Sequence, residues 1–251
     1  MNDIRITDLA NPILSDLQKN AIANAEKAKI NLSVDAVLEA ARQATGLSDF
    51  GDNGFKVHLE EQLQATREDD WLNNLGRIGV FNTKVGQASS RLRVIDALNR
   101  HPEIHEIEIK KPIMIAGLPR SGTTHLLSMI AADTRFRSMP YWESKQPVPS
   151  PEEPVTHDTT DPRHVRCCEA YAGTDAMLPL MKNMHDMHPD HVQEDIELLD
   201  IDFMSYVLEW MAHVPRWRDY YLAHDQTPHY GFLKTMLKVL SYYSGNGFGD
   251  E

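Results

Sequence analysis

Cysteine is scarce in this chain. Of its 251 residues only two are cysteines, and they are neighbours, Cys167 and Cys168. A vicinal pair makes a strained disulfide at best, so no disulfide framework holds the fold and a reducing compartment is the easier setting. Positive charge is in deficit too. Lys and Arg number 25 against 37 Asp and Glu, a formal charge of −12. That argues against a nucleic-acid partner, since a general nucleic-acid binder presents a basic face. No stretch approaches the roughly 18 apolar residues of a membrane span. The opening MNDIRITDLANPILSD has no basic segment followed by an apolar run, so it does not read as a signal peptide. A cytoplasmic protein is the default expectation. Internal repeats are absent, and strands are nearly so: a single run, residues 113–116, has the character of a core strand.

Hydrophobic residues make up 41% of the chain, enough for a sizeable core. The first hundred residues have helical texture. In residues 34–45, Val34, Val37, Leu38 and Ala41 share a face, with Ser33 as N-cap and Gly46 as stop. Residues 48–54 form a turn-rich link. Further helices are predicted at about 55–67, 70–81 and 83–100, ending before Pro102. Residues 104–109 alternate in part, as an exposed strand or an extended lead-in does. Residues 112–116 are a short apolar run stopping at a glycine turn, which suits a buried parallel strand. A helix is predicted at 123–133, with Leu126, Leu127, Ile130 and Ala131 inward. Residues 147–162 carry five prolines and read as an ordered turn run or a mobile loop. Helices follow at about 162–172, 192–212 and 229–243, then a loop-like tail at 244–251. One strand alone cannot satisfy a buried backbone. Either strands lie hidden in segments of helical pattern, or the sheet is incomplete in this chain.

Between the apolar run and the helix lies Gly117-Leu118-Pro119-Arg120-Ser121-Gly122-Thr123-Thr124. A strand, a glycine-bearing turn and a helix make an anion cradle: first-turn amides point outward unpaired, and the helix dipole adds positive potential. Ser121, Thr123 and Thr124 add hydroxyls, and Arg120 adds a cation. The spacing G-x-x-x-x-G matches a nucleotide-binding P-loop. The lysine that would meet the β- and γ-phosphates is replaced by Thr123, which turns the loop away from a Mg²⁺-bound triphosphate.

Residues 112–133, PIMIAGLPRSGTTHLLSMIAAD, resemble the 5′-phosphosulfate-binding loop of sulfotransferases that use 3′-phosphoadenosine 5′-phosphosulfate (PAPS). The likeness is closest to a bacterial group with a helical N-terminal region. Residues 44–52, Trp142-Glu143, 147–153, 192–195 and 228–243 are similar to other segments of that group. The resemblance implies an α/β, P-loop NTPase-like sulfotransferase fold, helix-dominated here, with a helical region at 1–110 and the start of the sulfotransferase domain at 111–251. It implies sulfuryl transfer to a hydroxyl or amine of a small-molecule acceptor, with PAPS as co-substrate and no metal. Carried onto this loop, Arg120 holds the bridging and terminal oxygens as a catalytic residue, and Ser121, Gly122, Thr123 and Thr124 bind the 5′-phosphate. The family's 3′-phosphate ligands and its Lys-Ser-Pro-type strand lie beyond the helix at 229–243 and have no counterpart here, so the chain resembles the N-terminal portion of a longer enzyme. Two other readings are a P-loop nucleotide kinase or NTPase, and a non-catalytic remnant.

An alcohol acceptor needs a base. Glu143, in the region where related enzymes carry such a glutamate, is the catalytic candidate; a capping or solvated role is its alternative. Glu194 is a second candidate, with Asp195 read as helix N-terminal charge. His185, His188 and His191 sit three apart, but Pro189 interrupts any common helical face; a polar loop is the simpler reading, with one of the three as the base its alternative. Tyr206, Trp210, Trp217, Tyr220 and Tyr221 suit helix packing or an apolar acceptor pocket.

Overall fold

The computed structural model of the chain describes residues 6–8 and 10–244; most of the tail predicted at 244–251 lies outside them. Helix α1 (Asp16–Ala25) opens on a reciprocal cap between Ser15 and Gln18. Helix α2 (Val34–Thr45) forms where its apolar spacing places it. The Ser33 hydroxyl accepts from the Ala36 amide at 3.3 Å, and Gly46 ends the helix in the left-handed region. Val37, Leu38 and Ala41 are buried, as their spacing requires. In the link to α3 (Phe55–Glu68), the Asp49 and Asp52 carboxylates accept amides two residues on. The Arg91 guanidinium then donates to the Phe50 carbonyl at 2.9 Å and fixes the link against the next helix.

The helices expected at 70–81 and 83–100 are one, α4 (Asn74–Arg100). Asn73 caps it by accepting from the Gly76 amide at 2.9 Å, and no proline interrupts its ladder. It forms the spine of the molecule. Ala88 and Leu92 pack with α2, α3 and Phe203, while Val94 and Ala97 join a second core. Residues Pro102–Glu106 form a 3₁₀ turn and Ile107 after it is extended, so the strand alternative for 104–109 does not form: Pro102 starts a turn that drives Ile104 into that second core.

The remaining helices are α5 (Thr123–Ala131), α6 (Tyr141–Lys145), α7 (Pro162–Met177), α8 (Met181–Met184), α9 (Ile196–Leu199), α10 (Val207–Met211), α11 (Pro215–Ala223) and α12 (Thr227–Tyr243). The helix predicted over 192–212 is broken into α9, a 3₁₀ turn at Asp200–Asp202, a left-handed Phe203 and α10. Its acidic residues cause the break: Asp200 turns inward to Lys84 and Asp202 to Arg91. The proline-rich stretch is an ordered turn run. Val148 is buried in the second core, and buried Asp161 caps α7 and pairs with Arg163 at 2.8 Å. Among the described residues no helix is long and apolar enough to cross a membrane.

The predicted buried strand does not form. Residues 112–118 have no regular structure, and Ile113 and Met114 are exposed, Met114 by 73%. A strand needs a neighbour for its amides and carbonyls, and among the described residues the β-pairing is one antiparallel bridge, Pro140 with Val192. For the same reason α5 has no sheet to lie on. Leu126 is exposed, and Leu127, Ile130 and Ala131 are only half-buried rather than inward.

A third core holds Trp217, Met204, Leu208, Val214 and Ala65. Beside it His58 is buried, 2.8 Å through Nδ1 from the Tyr220 hydroxyl and ring-to-ring with His229. Burial, and then the His229 charge, lowers its pKa to about 4. The unfolded chain therefore takes up a proton near pH 6.5 that the folded chain refuses, and stability falls as the pH drops from there toward about 4. The slope from this residue is at most roughly 1.4 kcal/mol per pH unit. Urea unfolding at pH 7, 5.5 and 4.5 measures it. His58→Gln flattens that part of the curve; an unchanged slope contradicts the assignment.

Candidate functional site

The loop at 117–124 is folded as an open cradle. Arg120 and Gly122 both adopt left-handed backbone, φ 68° and 92°, a region that only glycine enters without strain. At Gly117 the turn passes over itself: a Cβ there would sit 2.8 Å from Thr123 Cγ2 and 3.0 Å from Ser121 Oγ. The Ser121 hydroxyl donates back to the Leu118 carbonyl at 2.6 Å and closes the turn. The first α5 bond runs from the Leu126 amide to the Gly122 carbonyl at 3.0 Å. The amides of Thr123, Thr124 and His125 therefore have no acceptor among the described residues, as the first turn of a helix dictates. Arg120 is exposed, with no ion pair among those residues. Three open amides at a helix's positive end, the Thr123 hydroxyl and an exposed guanidinium suit a tetrahedral oxyanion.

The base candidates lie on two elements stitched together. The Tyr141 amide donates to the His191 carbonyl and the Gln193 amide to the Met139 carbonyl, both at 2.8 Å. Glu143 is buried in α6, and its carboxylate accepts from Arg137 at 2.8 Å. Glu194 is half-buried and reaches the cradle itself: its Oε1 accepts from the Thr124 hydroxyl at 3.2 Å. The neighbouring Asp195 carboxyl is pushed up by burial and by the Glu194 charge. The histidines diverge. His185 and His191 meet edge to face at 5.8 Å, while His188 turns to Tyr171 and Asp190. Burial lowers the His191 pKa. No group of three or more metal-ligating side chains suited to a metal ion occurs among the described residues. Of the aromatics, Trp217 is wholly buried and stacks on Tyr220 at 5.6 Å, a packing role, while Trp210 is exposed.

With that geometry in place, residues 112–241, which include the loop, both glutamates and most of α12, match the family model described as the sulfotransferase family. The chain belongs to the sulfotransferase family. Two solved structures share the fold of this sulfotransferase chain. The sulfotransferase STF1 from Mycobacterium tuberculosis H37Rv is 26% identical with a TM-score of 0.72, over 89% of this chain and 60% of that one. The sulfotransferase STF9 from Mycobacterium avium has the same TM-score of 0.72 at 23% identity, over 86% of this chain and 55% of that one. A comparison with curated proteins returned no match. The chain thus spans little more than half the length of the solved relatives.

Sequence reasoning missed the contact between Thr124 and Glu194, which are 70 residues apart. No local pattern signals it; it depends on the pairing of residues 139–141 with 191–193.

Proposed function

We propose that this sulfotransferase moves a sulfuryl group from PAPS to a hydroxyl or amine of a small-molecule acceptor, with no metal. The observation that supports this most is the cradle, with its open amides at the head of α5 beside an exposed Arg120. When bound, the donor supplies the sulfuryl group and leaves as a bisphosphate. The amides of Thr123 and Thr124 and the Thr123 hydroxyl hold the 5′-phosphate, and the Ser121 and Thr124 hydroxyls, which donate here to Leu118 and Glu194, turn to it when the donor binds. Gly122 lets the backbone approach it, and Arg120 stabilises the charge growing on the bridging oxygen. We read residues 112–118 as the strand position of a P-loop-like α/β fold.

A kinase reading meets the same loop with Thr123 where the triphosphate-binding lysine would stand. Isothermal titration separates the two. The protein is expected to bind adenosine 3′,5′-bisphosphate and to give no heat with Mg²⁺ and ATP. Heat from Mg²⁺-ATP but none from the bisphosphate reverses the assignment.

For the base we propose Glu194 over Glu143, because Glu194 touches the cradle while Glu143 is held by Arg137. Its carboxylate also repels an incoming phosphate. Glu194→Gln is expected to bind the bisphosphate about fivefold more tightly, a gain of about 1 kcal/mol, while slowing turnover roughly a hundredfold. Glu143→Gln instead lowers stability by about 1–3 kcal/mol, since Arg137 loses its carboxylate in a largely buried site. Calorimetry, initial rates and urea unfolding of the two variants check this. Unchanged turnover in Glu194→Gln removes it as base.

A further inference from the structure

Helix α7 carries a second reactive arrangement, on residues other than those of the loop. His164 and Cys168 are four residues apart and so share one helix face. The Cys168 sulfur lies 3.6 Å from His164 Nδ1, and the opposite ring nitrogen, Nε2, lies 2.9 Å from Asp190 Oδ1. A carboxylate only accepts hydrogen bonds, so Nε2 carries the ring proton of the neutral imidazole. Nδ1 then presents its lone pair, and the thiol donates to it. His164 is buried, 7% exposed, with the Trp142 ring packed edge-on against it. Its orientation is thus fixed by packing and by Asp190 together. Cys168 is half-buried and reachable from solvent, and the Asp190 amide donates to His188 Nδ1 at 3.3 Å, which anchors the backbone that carries the carboxylate.

A thiol, an imidazole with a free lone pair and a carboxylate holding the far ring nitrogen are the parts of an activated sulfur nucleophile. We propose that Cys168 is a nucleophilic thiol, with His164 as its base and Asp190 as the group that positions His164, and that it is a modification site for soft electrophiles. The Sγ proton passes to His164 Nδ1, leaving a thiolate beside an imidazolium whose Nε2–H stays on Asp190. The sulfur lone pair forms the new bond, and the electrophile's leaving group departs with its electrons. With an alkyl iodide an S–C bond forms, the C–I bond breaks and iodide leaves. With a hydroperoxide an S–O bond forms, the O–O bond breaks and hydroxide or alkoxide leaves. Cys167, adjacent on the same helix, is the internal contrast. It is buried, and burial together with the Cys168 charge pushes its thiol up to about 11.

The test is timed alkylation of the folded protein with iodoacetamide at pH 7, each cysteine quantified by peptide mass spectrometry. An ordinary thiol is a few per cent ionised at that pH, so activation gives Cys168 labelling roughly tenfold faster than glutathione, with Cys167 slower still. His164→Gln and Asp190→Asn each slow Cys168 labelling and leave Cys167 unchanged. Asp190 is 56% exposed, so its variant keeps the fold and decides the matter if the buried histidine does not tolerate replacement. A Cys168 no faster than glutathione in the wild type, or one unaffected by Asp190→Asn in a protein of unchanged circular dichroism, overturns the proposal.

Discussion

Replacing Arg120 with alanine is expected to lower the turnover of sulfuryl transfer about a thousandfold, the size seen when a preorganised donor to developing charge is removed. Affinity for adenosine 3′,5′-bisphosphate should fall about tenfold or more with it. The melting temperature should stay within about 2 °C of wild type, because an exposed residue without an ion pair among the described residues contributes little to folding. Arg120 is a non-glycine residue at φ 68° on an exposed turn, a conformation that costs about 1–2 kcal/mol for an L-residue. No ion pair among the described residues offsets that strain, so the gain lies in what the guanidinium meets. Two further variants sharpen the test. Arg120→Gly relieves the strain and is expected to be more stable than wild type by about 1 kcal/mol yet equally inactive. Arg120→Lys keeps the charge and loses the planar fork, so it recovers only part of the rate. Initial-rate kinetics, bisphosphate titration and thermal melts decide the case. Full turnover in Arg120→Ala leaves the loop an anion cradle without a catalytic arginine.

The features that could be read directly from sequence are those whose cause is local. The 34–45 helix announces itself through a cap, a face and a stop, and it forms as read. The start of α5 at Thr123 follows from the glycine turn before it, and the family follows from the same loop. What escaped depends on partners distant in the chain. The 192–212 segment has the apolar content of a helix, yet Lys84 and Arg91 draw Asp200 and Asp202 inward and the helix breaks there. The apolar run at 113–116 has the composition of a buried strand, but a strand is a property of a pair, and no described segment pairs with it. Glu194 stands as a candidate base in the sequence, but only the fold brings it to Thr124. His164 and Cys168 stand four apart in plain view, but Asp190, the member that orients the imidazole, arrives from a loop.

The second large effect is expected deep in the core. Lys84 and Asp200 are 2% and 3% exposed, with Nζ 3.2 Å from Oδ1. Gln87 donates to the other carboxylate oxygen, and the Phe203 ring lies 5.9 Å beneath the ammonium. Burial lowers the Lys84 pKa, and the Asp200 charge partly restores it. Removing one partner strands a charge in that site, so Asp200→Ala is expected to lose about 3–5 kcal/mol, and Lys84→Met a similar amount. The double variant Lys84→Met/Asp200→Leu should be more stable than either single one, because it removes both desolvation penalties at once. The pH dependence separates a stranded charge from mere loss of packing. In Asp200→Ala the ammonium has lost the carboxylate that raised its pKa, so the folded chain binds fewer protons than the unfolded one over a wide range below pH 10.5. Stability of that variant then rises with pH as Lys84 sheds its proton, more steeply than that of the wild type, where Asp200 partly restores the Lys84 pKa. Urea unfolding of the four proteins at pH 7 and 9 measures both the cycle and the slope. Additive single effects, or an Asp200→Ala curve parallel to wild type, would mean that the two charges are not coupled and that the break after α9 has another cause.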